Sequence, residues 1–275
     1  MMANEILIVV PCYNGEKYLK ETLESVHNQT YKNWNLTFID DFSTDKSQSI
    51  YKDFRLEHGY GSEKCSLSIH TKNKGITKSK QYGISMAYYD EFEFFMSLDS
   101  DDIIESDYLE KMIPFLRNNP RYDYAYCDTI YFFPNGKEQR FYQPEFNAVK
   151  LMQNNFVSYC SVFRTEPIWK TGYDLNNLAK FEDYQLLLRL LRNGSYGIHF
   201  PEPLFRYRIH ENQSMKSDLI KKFSHLFKHY FVNQIPEMFP ENWVNESNEA
   251  LKRLPDNFMS LKNEELLKIL ENREI

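Results

Sequence analysis

Residues 5–40, E-I-L-I-V-V-P-C-Y-N-G-E-K-Y-L-K-E-T-L-E-S-V-H-N-Q-T-Y-K-N-W-N-L-T-F-I-D, carry the pattern from which the fold follows. The opening run is continuously apolar and stops at Pro11, as a strand buried on both faces of a parallel sheet would. From Lys17 the residues Tyr18, Leu19, Leu23 and Val26 recur at helical spacing until the polar Asn28-Gln29-Thr30, and 34–39 is a second apolar strand. This is one β-α-β unit. Working outward, a polar loop over 40–47 leads into a helix over 48–58, a weaker strand over 66–70, a helix over 76–89 and a strand over 92–98. That strand ends abruptly at Asp99-Ser100-Asp101-Asp102. Such alternation predicts an α/β fold: a doubly wound, mostly parallel sheet flanked by helices, with ligands at the carboxyl ends of the strands. Beyond it, 107–117 reads as helix and 122–133 tends to the β period before the turn Pro134-Asn135-Gly136, which predicts a mixed sheet there. A helix over 181–191 and an extended segment over 201–209 follow. The domain division expected is 1–215 for the sheet domain and 216–275 for a helical C-terminal extension.

Composition narrows the function. With 275 residues, 42% of them hydrophobic and 26% charged, the chain can bury a sizeable core. Its 33 basic and 39 acidic residues give a formal charge of -6, which argues against nucleic acid as a partner. The longest purely apolar stretch, 6–10, is far short of the roughly 20 residues of a membrane helix. The start lacks a basic segment of the kind that opens a signal peptide. A soluble, cytoplasmic protein is expected. Cys12, Cys65, Cys127 and Cys160 are scattered without a C-x-x-C pair, so they read as buried thiols rather than as a zinc site or disulfides.

Three polar loops follow strands. Asp99 and Asp101 are two residues apart, so in extended chain they share a face and can share a hard cation or a sugar hydroxyl. The same acids could instead cap the helix that begins near Asp107. The loop Asp40-Asp41-Phe42-Ser43-Thr44-Asp45 likewise contains N-cap acceptors. Pro11-Cys12-Tyr13-Asn14-Gly15 is a turn whose tyrosine is shaped to stack on a nucleobase.

Taken in order, ILIVVPCYNGEKYLKETLESVHNQTY, FIDDFSTDKS, NKG, FFMSLDSDD, FEDYQLLLRL and YRIHENQS make the chain, over about residues 5–215, resemble a family 2 glycosyltransferase of the nucleotide-sugar-binding GT-A type. The resemblance implies inverting transfer of a sugar from a nucleoside diphosphate donor, with UDP favoured, to a hydroxyl of a glycan or lipid-linked acceptor in bacterial cell-surface polysaccharide synthesis. It implies that Tyr13 and Asp41 hold the base, Asp41 accepting from a uracil-type imide N–H. Pro11 contributes a backbone carbonyl, Asn73 shapes the neighbouring wall with Gly75, and Lys80 lies near donor oxygens. Of the Asp99-Ser100-Asp101 triplet, Asp99 faces the ribose and Asp101 binds Mn2+ or Mg2+. The resemblance further implies that His210 contacts metal or diphosphate and that Asp183 is the general base. Out of this context Glu182 and Asp183 would only complement a helix N-terminus.

One departure is informative. Gln185-Leu-Leu-Leu-Arg189 lacks the tryptophan of the processive synthases' Q-x-x-R-W, which disfavours a processive channel enzyme. In 216–234 an apolar stripe from Leu219 to Phe231 reads either as a face packed on the catalytic domain or as a peripheral contact with the inner face of the cell membrane. Two rival functions are a haloacid-dehalogenase-type phosphatase, which also places Asp-x-Asp after a strand, and a non-catalytic sugar-nucleotide binder.

Overall fold

The computed structural model of the chain describes residues 5–175, 181–210, 232, 236–239 and 241–251. Its elements run β1 Ile6–Cys12, α1 Leu19–His27, β2 Trp34–Asp40, α2 Ser47–Glu57, β3 Cys65–Ile69, α3 Ile76–Tyr89 and β4 Phe94–Ser97. Then come β5 Ile103–Ile104, α4 Tyr108–Arg117, β6 Tyr124–Phe132, β7 Glu138–Phe141, α5 Ala148–Gln153, β8 Val162–Arg164, α6 Thr165–Thr171, α7 Glu182–Arg192 and β9 Gly197–Arg208. A 3-10 turn at Pro236–Met238 and a helix α8, Glu241–Leu251, follow.

The chain divides into two compact units, the first Met1–Tyr173 with Leu186–Ile209 and the second Asp174–Gln185 with His210–Ile275. The boundary expected at 215/216 falls outside the described residues, as do the helix expected over 257–275 and, apart from Val232, the stripe over 216–234. In the second unit, Phe181 sits at φ 57° and its carbonyl accepts from the Gln185 amide at 2.9 Å, which starts α7. Among the described residues no helix is long and apolar enough to cross a membrane.

One sheet runs through the first unit in the order β3-β2-β1-β4-β8-β6-β9-β5, with β7 added on β6. β1 pairs in parallel with β2 on one edge and with β4 on the other, and β3 continues the parallel set beyond β2. Past β4 the sheet is mixed: β8 is antiparallel to both β4 and β6, whereas β9 lies parallel to β6 with a bulge around Asp128. The architecture is therefore the flanked α/β sheet that the alternation predicts.

All of β1 is buried, and its side chains divide between two layers. Ile6, Ile8 and Val10 join Leu19, Leu23 and Val26 of α1, Tyr51 and Phe54 of α2, and Leu109, Met112, Ile113 and Leu116 of α4 in the main core. On the opposite face α3 lies so close to β1 that a Cβ at Gly83 would come within 2.6 Å and 2.8 Å of the two Val9 methyls. All four cysteines are free and buried, as expected.

Gly83 sits mid-helix, so alanine there would gain about 1 kcal/mol of helix propensity and lose about 1–3 kcal/mol to overpacking against Val9. Gly83→Ala should therefore lower stability by about 1 kcal/mol, read as a lower urea midpoint at unchanged m-value.

Candidate active site

In the order β3-β2-β1-β4 the winding reverses between β1 and β4, which is where an open α/β sheet leaves a crevice at the carboxyl ends of its strands. The loops after these two strands touch there. A Cβ on Gly15 would meet Cys12 Sγ at 2.7 Å and Ser100 Oγ at 3.0 Å, so only glycine lets the first loop close against the acidic one. Cys12 is buried against Ser47, Ser100 and Gly15, and burial pushes its thiol up.

The loops after β1 and β2 are laced together. The Asn14 amide donates to Ser43 Oγ at 2.9 Å, the Gly15 amide to Ser47 Oγ at 2.9 Å and the Glu16 amide to Asp45 Oδ2 at 2.9 Å. In return the Thr44 amide donates to Asn14 Oδ1 at 2.8 Å and the Lys46 amide to Glu16 Oε2 at 3.0 Å. Tyr13 projects from this lacework with half its surface exposed. Pro11 is the penultimate residue of β1, paired with Ile39.

Asp41 is 3% exposed and ties the third loop to the second. Its Oδ1 accepts the Lys74 amide at 2.7 Å and lies 2.8 Å from His70 Nδ1, while Oδ2 accepts the Gly75 amide at 2.7 Å. Asn73 Oδ1 also accepts the Gly75 amide, at 3.1 Å, and Gly75 sits at φ 87°, where it precedes α3. These bonds use three of the four acceptor positions of a carboxylate. Asp40 is spent structurally, accepting from the Ser43 amide and, at 2.7 Å, from Gln48 Nε2.

The acidic loop is held from three directions. Lys80, on α3 and fully buried, brings Nζ to 3.4 Å from Asp99 Oδ1 and 4.9 Å from the centre of the Tyr159 ring. Asp102 is buried, accepts the Arg208 amide on Oδ1 at 2.7 Å and accepts the Tyr159 hydroxyl on Oδ2. Arg208 donates from Nε to the Asp101 carbonyl at 2.7 Å and from Nη2 to Glu21 Oε2 at 2.7 Å, with its guanidinium 4.4 Å from the ring centres of both Tyr18 and Phe132. Ser100 and Asp101, partly exposed, form the turn between these anchors. Asp107, the N-cap residue of α4, makes no side-chain cap hydrogen bond.

In the second unit, Asp183 lies in the first turn of α7 beside Glu182, and His210 stands two residues after the last residue of β9. Each is partly exposed.

Residues 7–172 match the family model described as glycosyl transferase family 2. The chain belongs to that family. This sets the phosphatase alternative aside and makes the protein a glycosyltransferase; Asp183 and His210 lie beyond the matched residues. The transferase is 26% identical over 235 residues to glycosyltransferase GlyG of Streptococcus pneumoniae, covering 79% of this chain and 75% of that one. It is 24% identical over 257 residues to the minor teichoic acid biosynthesis protein GgaB of Bacillus subtilis, covering 90% of this chain but only 27% of GgaB. Among solved structures, S. aureus TarS 1-349 in complex with UDP superposes with a TM-score of 0.64 at 18% identity, covering 94% of this chain and 73% of that one. The mannosyltransferase PcManGT from Pyrobaculum calidifontis, in complex with GDP-Man and Mn2+, gives 0.66 at 14% identity, with 97% and 73% covered. Both likenesses speak to the fold, which is of the GT-A type.

The first unit thus gathers Pro11, Tyr13, Asp41, Asn73, Lys80, Asp99, Ser100 and Asp101 along one edge of its sheet. The sequence reading missed His70, Asp102, Tyr159 and Arg208. Asp102 and Arg208 stand inside quoted motifs, but nothing in their spacing shows that the two bind each other.

Burial, and then the charge of Asp101, push the Asp102 carboxyl well above the usual carboxylate range. Above the ordinary value near 3.8 the unfolded chain releases this proton while the native chain retains it, so stability from this group falls as pH rises. Asp102→Asn keeps the shape and removes the titration. Its stability should therefore gain on the parent as the pH is raised from about 4 to about 7, measured by urea unfolding at both.

Proposed function

We propose that this transferase moves a sugar, with inversion, from a nucleoside diphosphate donor, UDP-sugar favoured, to a hydroxyl of a glycan or lipid-linked acceptor in cell-surface polysaccharide synthesis. The observation that carries the reading is the contact of Gly15 with Ser100 at the β1/β4 reversal, which sets the Tyr13 loop against the acidic loop. A flat base and a charged diphosphate are the parts of a nucleotide sugar that such neighbours suit. The complexes of TarS with UDP and of PcManGT with GDP-Man support a nucleotide-sugar donor.

The donor half is assigned to the first unit. Tyr13 stacks on the base, Pro11 offers its carbonyl, and Asn73 shapes the wall beside it. Asp41 keeps one acceptor position beyond its three bonds, so holding the loop and accepting an imide N–H are compatible. Asp99, its charge balanced by Lys80 at 3.4 Å, faces the ribose, and Ser100 lines the turn.

Asp101 would hold Mn2+ or Mg2+, with His210 as a further ligand. The acidic loop offers hard oxygen donors, the chemistry these ions select. Among the described residues, the three His, Cys, Asp or Glu ligand atoms that converge within 4.8 Å are instead those of Glu24, Glu57 and His58 on the far ends of α1 and α2. The diphosphate oxygens of the donor would complete the shell of an ion held at Asp101. When bound, such an ion supplies positive charge opposite the leaving nucleoside diphosphate.

Asp183 is assigned the base. A hydroxyl is a poor nucleophile, and a carboxylate that takes its proton as the glycosidic bond breaks contributes about 10²- to 10⁴-fold. One base and one displacement invert the anomeric centre. A peripheral contact of residues beyond 216 with the cytoplasmic face of the membrane would bring the enzyme to a lipid-linked acceptor.

Two variants test this reading. Turnover of a UDP-sugar should cease in excess EDTA, return with Mn2+ or Mg2+, and fall by about 10²-fold or more in Asp101→Ala; full turnover of that variant in EDTA would remove the metal role. Asp183→Asn should keep the parent's melting temperature and donor affinity while kcat falls by about 10²-fold or more, and an α-linked donor should yield a β-linked product by NMR. An α-linked product would reject the single displacement, and absent turnover with intact nucleotide binding would favour a non-catalytic binder.

A further inference from the structure

Phe42 is exposed over 49% of its surface and sits at φ 71°, in the left-handed region that a bulky side chain rarely enters. Neither feature helps the fold. An exposed ring contributes little burial, and glycine would adopt this backbone without steric cost. The conformation is nonetheless imposed by a well-bonded frame. The Ser43 amide donates to both Asp40 carboxylate oxygens at 3.3 Å, and the Asn14 amide donates to Ser43 Oγ at 2.9 Å.

The same frame sets Phe42 opposite Tyr13. The Asp41 amide donates to the Cys12 carbonyl at 2.8 Å, and the next link between the loops joins Asn14 to Ser43. Residues 13 and 42 lie between these two rungs, so the register brings two half-exposed aromatic residues, at 53% and 49%, to facing positions on adjacent loops.

We propose that Phe42 is a donor-binding residue of this transferase, forming with Tyr13 an aromatic platform that takes the nucleobase by its face. The inference deepens the nucleotide-donor reading and rests on it. Backbone strain at one exposed residue is repaid when a flat ligand removes that ring from water. Face contact does not distinguish bases, since uracil and guanine both present a π surface. Discrimination between bases is then left to edge contacts such as the one assigned to Asp41.

The probes are UDP and GDP, titrated calorimetrically with Mn2+ into the full chain. Phe42→Ala and Phe42→Gly should each weaken binding by about tenfold, and Phe42→Tyr should restore it. The loss should be similar for whichever of the two nucleotides the parent binds. Phe42→Gly should melt no lower than the parent, because it relieves the left-handed backbone. Parental affinity in Phe42→Ala and Phe42→Gly would overturn the inference and leave the donor reading intact. So would a loss that tracks a lowered melting temperature without rescue by Phe42→Tyr, or a loss confined to one of two nucleotides that the parent binds. A parent that binds neither nucleotide would instead overturn the donor reading, and the platform with it.

Discussion

β1 is hydrogen-bonded along both edges and covered on both faces, and this one constraint orders the rest of the site. β1 carries no charged side chain along its length, and the polar residues of its loop begin beyond its carboxyl end. Because β2 and β4 are its parallel neighbours, their loops open at the same edge. The loops are then fixed by what they can bond to. Side chains of one loop satisfy the amides of the next, as Ser43, Ser47 and Asp45 do for 14–16. Such mutual satisfaction of backbone donors makes three loops one rigid surface without regular structure.

Charge is managed by a different means at each acid. Asp41 is compensated by two backbone amides and a histidine, so it tolerates burial without a formal countercharge. Asp99 is paired with an ammonium that is itself fully buried, and each would be costly without the other. Asp102 takes a hydroxyl and an amide on its carboxylate, and burial then favours its protonated form. At Asp101, Arg208 engages the main-chain carbonyl rather than the carboxylate. The loop thus presents less negative charge than its sequence suggests.

The parallel half of this fold was legible because it is built from long elements with one period each. α3 has the bounds its apolar spacing predicts, and β1 and β2 lie within a residue or two of theirs. The short elements were not. β5 has two residues and β8 three, and each exists only because a longer strand pairs with it. β9 starts at Gly197, before the extended run that its prolines mark, since it is recruited by β6 through Tyr124. At the site, the sequence exposes residue types at strand ends but not which of them meet. Asp41 finds His70 across 29 positions and Asp102 finds Arg208 across 106. The signal for Phe42 was its oddity, a large apolar side chain in a polar loop, and only the backbone angle made that oddity count.

The motif Phe-Glu-Asp-Tyr-Gln-Leu-Leu-Leu-Arg, 181–189, contains two jobs that the sequence runs together. Its second half is structural. Arg189 donates from Nε to the Gly172 carbonyl at 3.2 Å and from its terminal nitrogen to the Thr171 carbonyl at 3.0 Å, satisfying acceptors that α6 leaves open at its end. Asn193 adds a bond to Thr171 Oγ1 at 2.9 Å, and Leu186, Leu187, Leu188 and Leu190 are buried. An arginine so engaged has no need of a neighbouring tryptophan, and Leu190 stands beside it in the core instead. The motif's first half carries Glu182 and Asp183 in the opening turn, where carboxylates are favoured by the helix dipole whatever else they do.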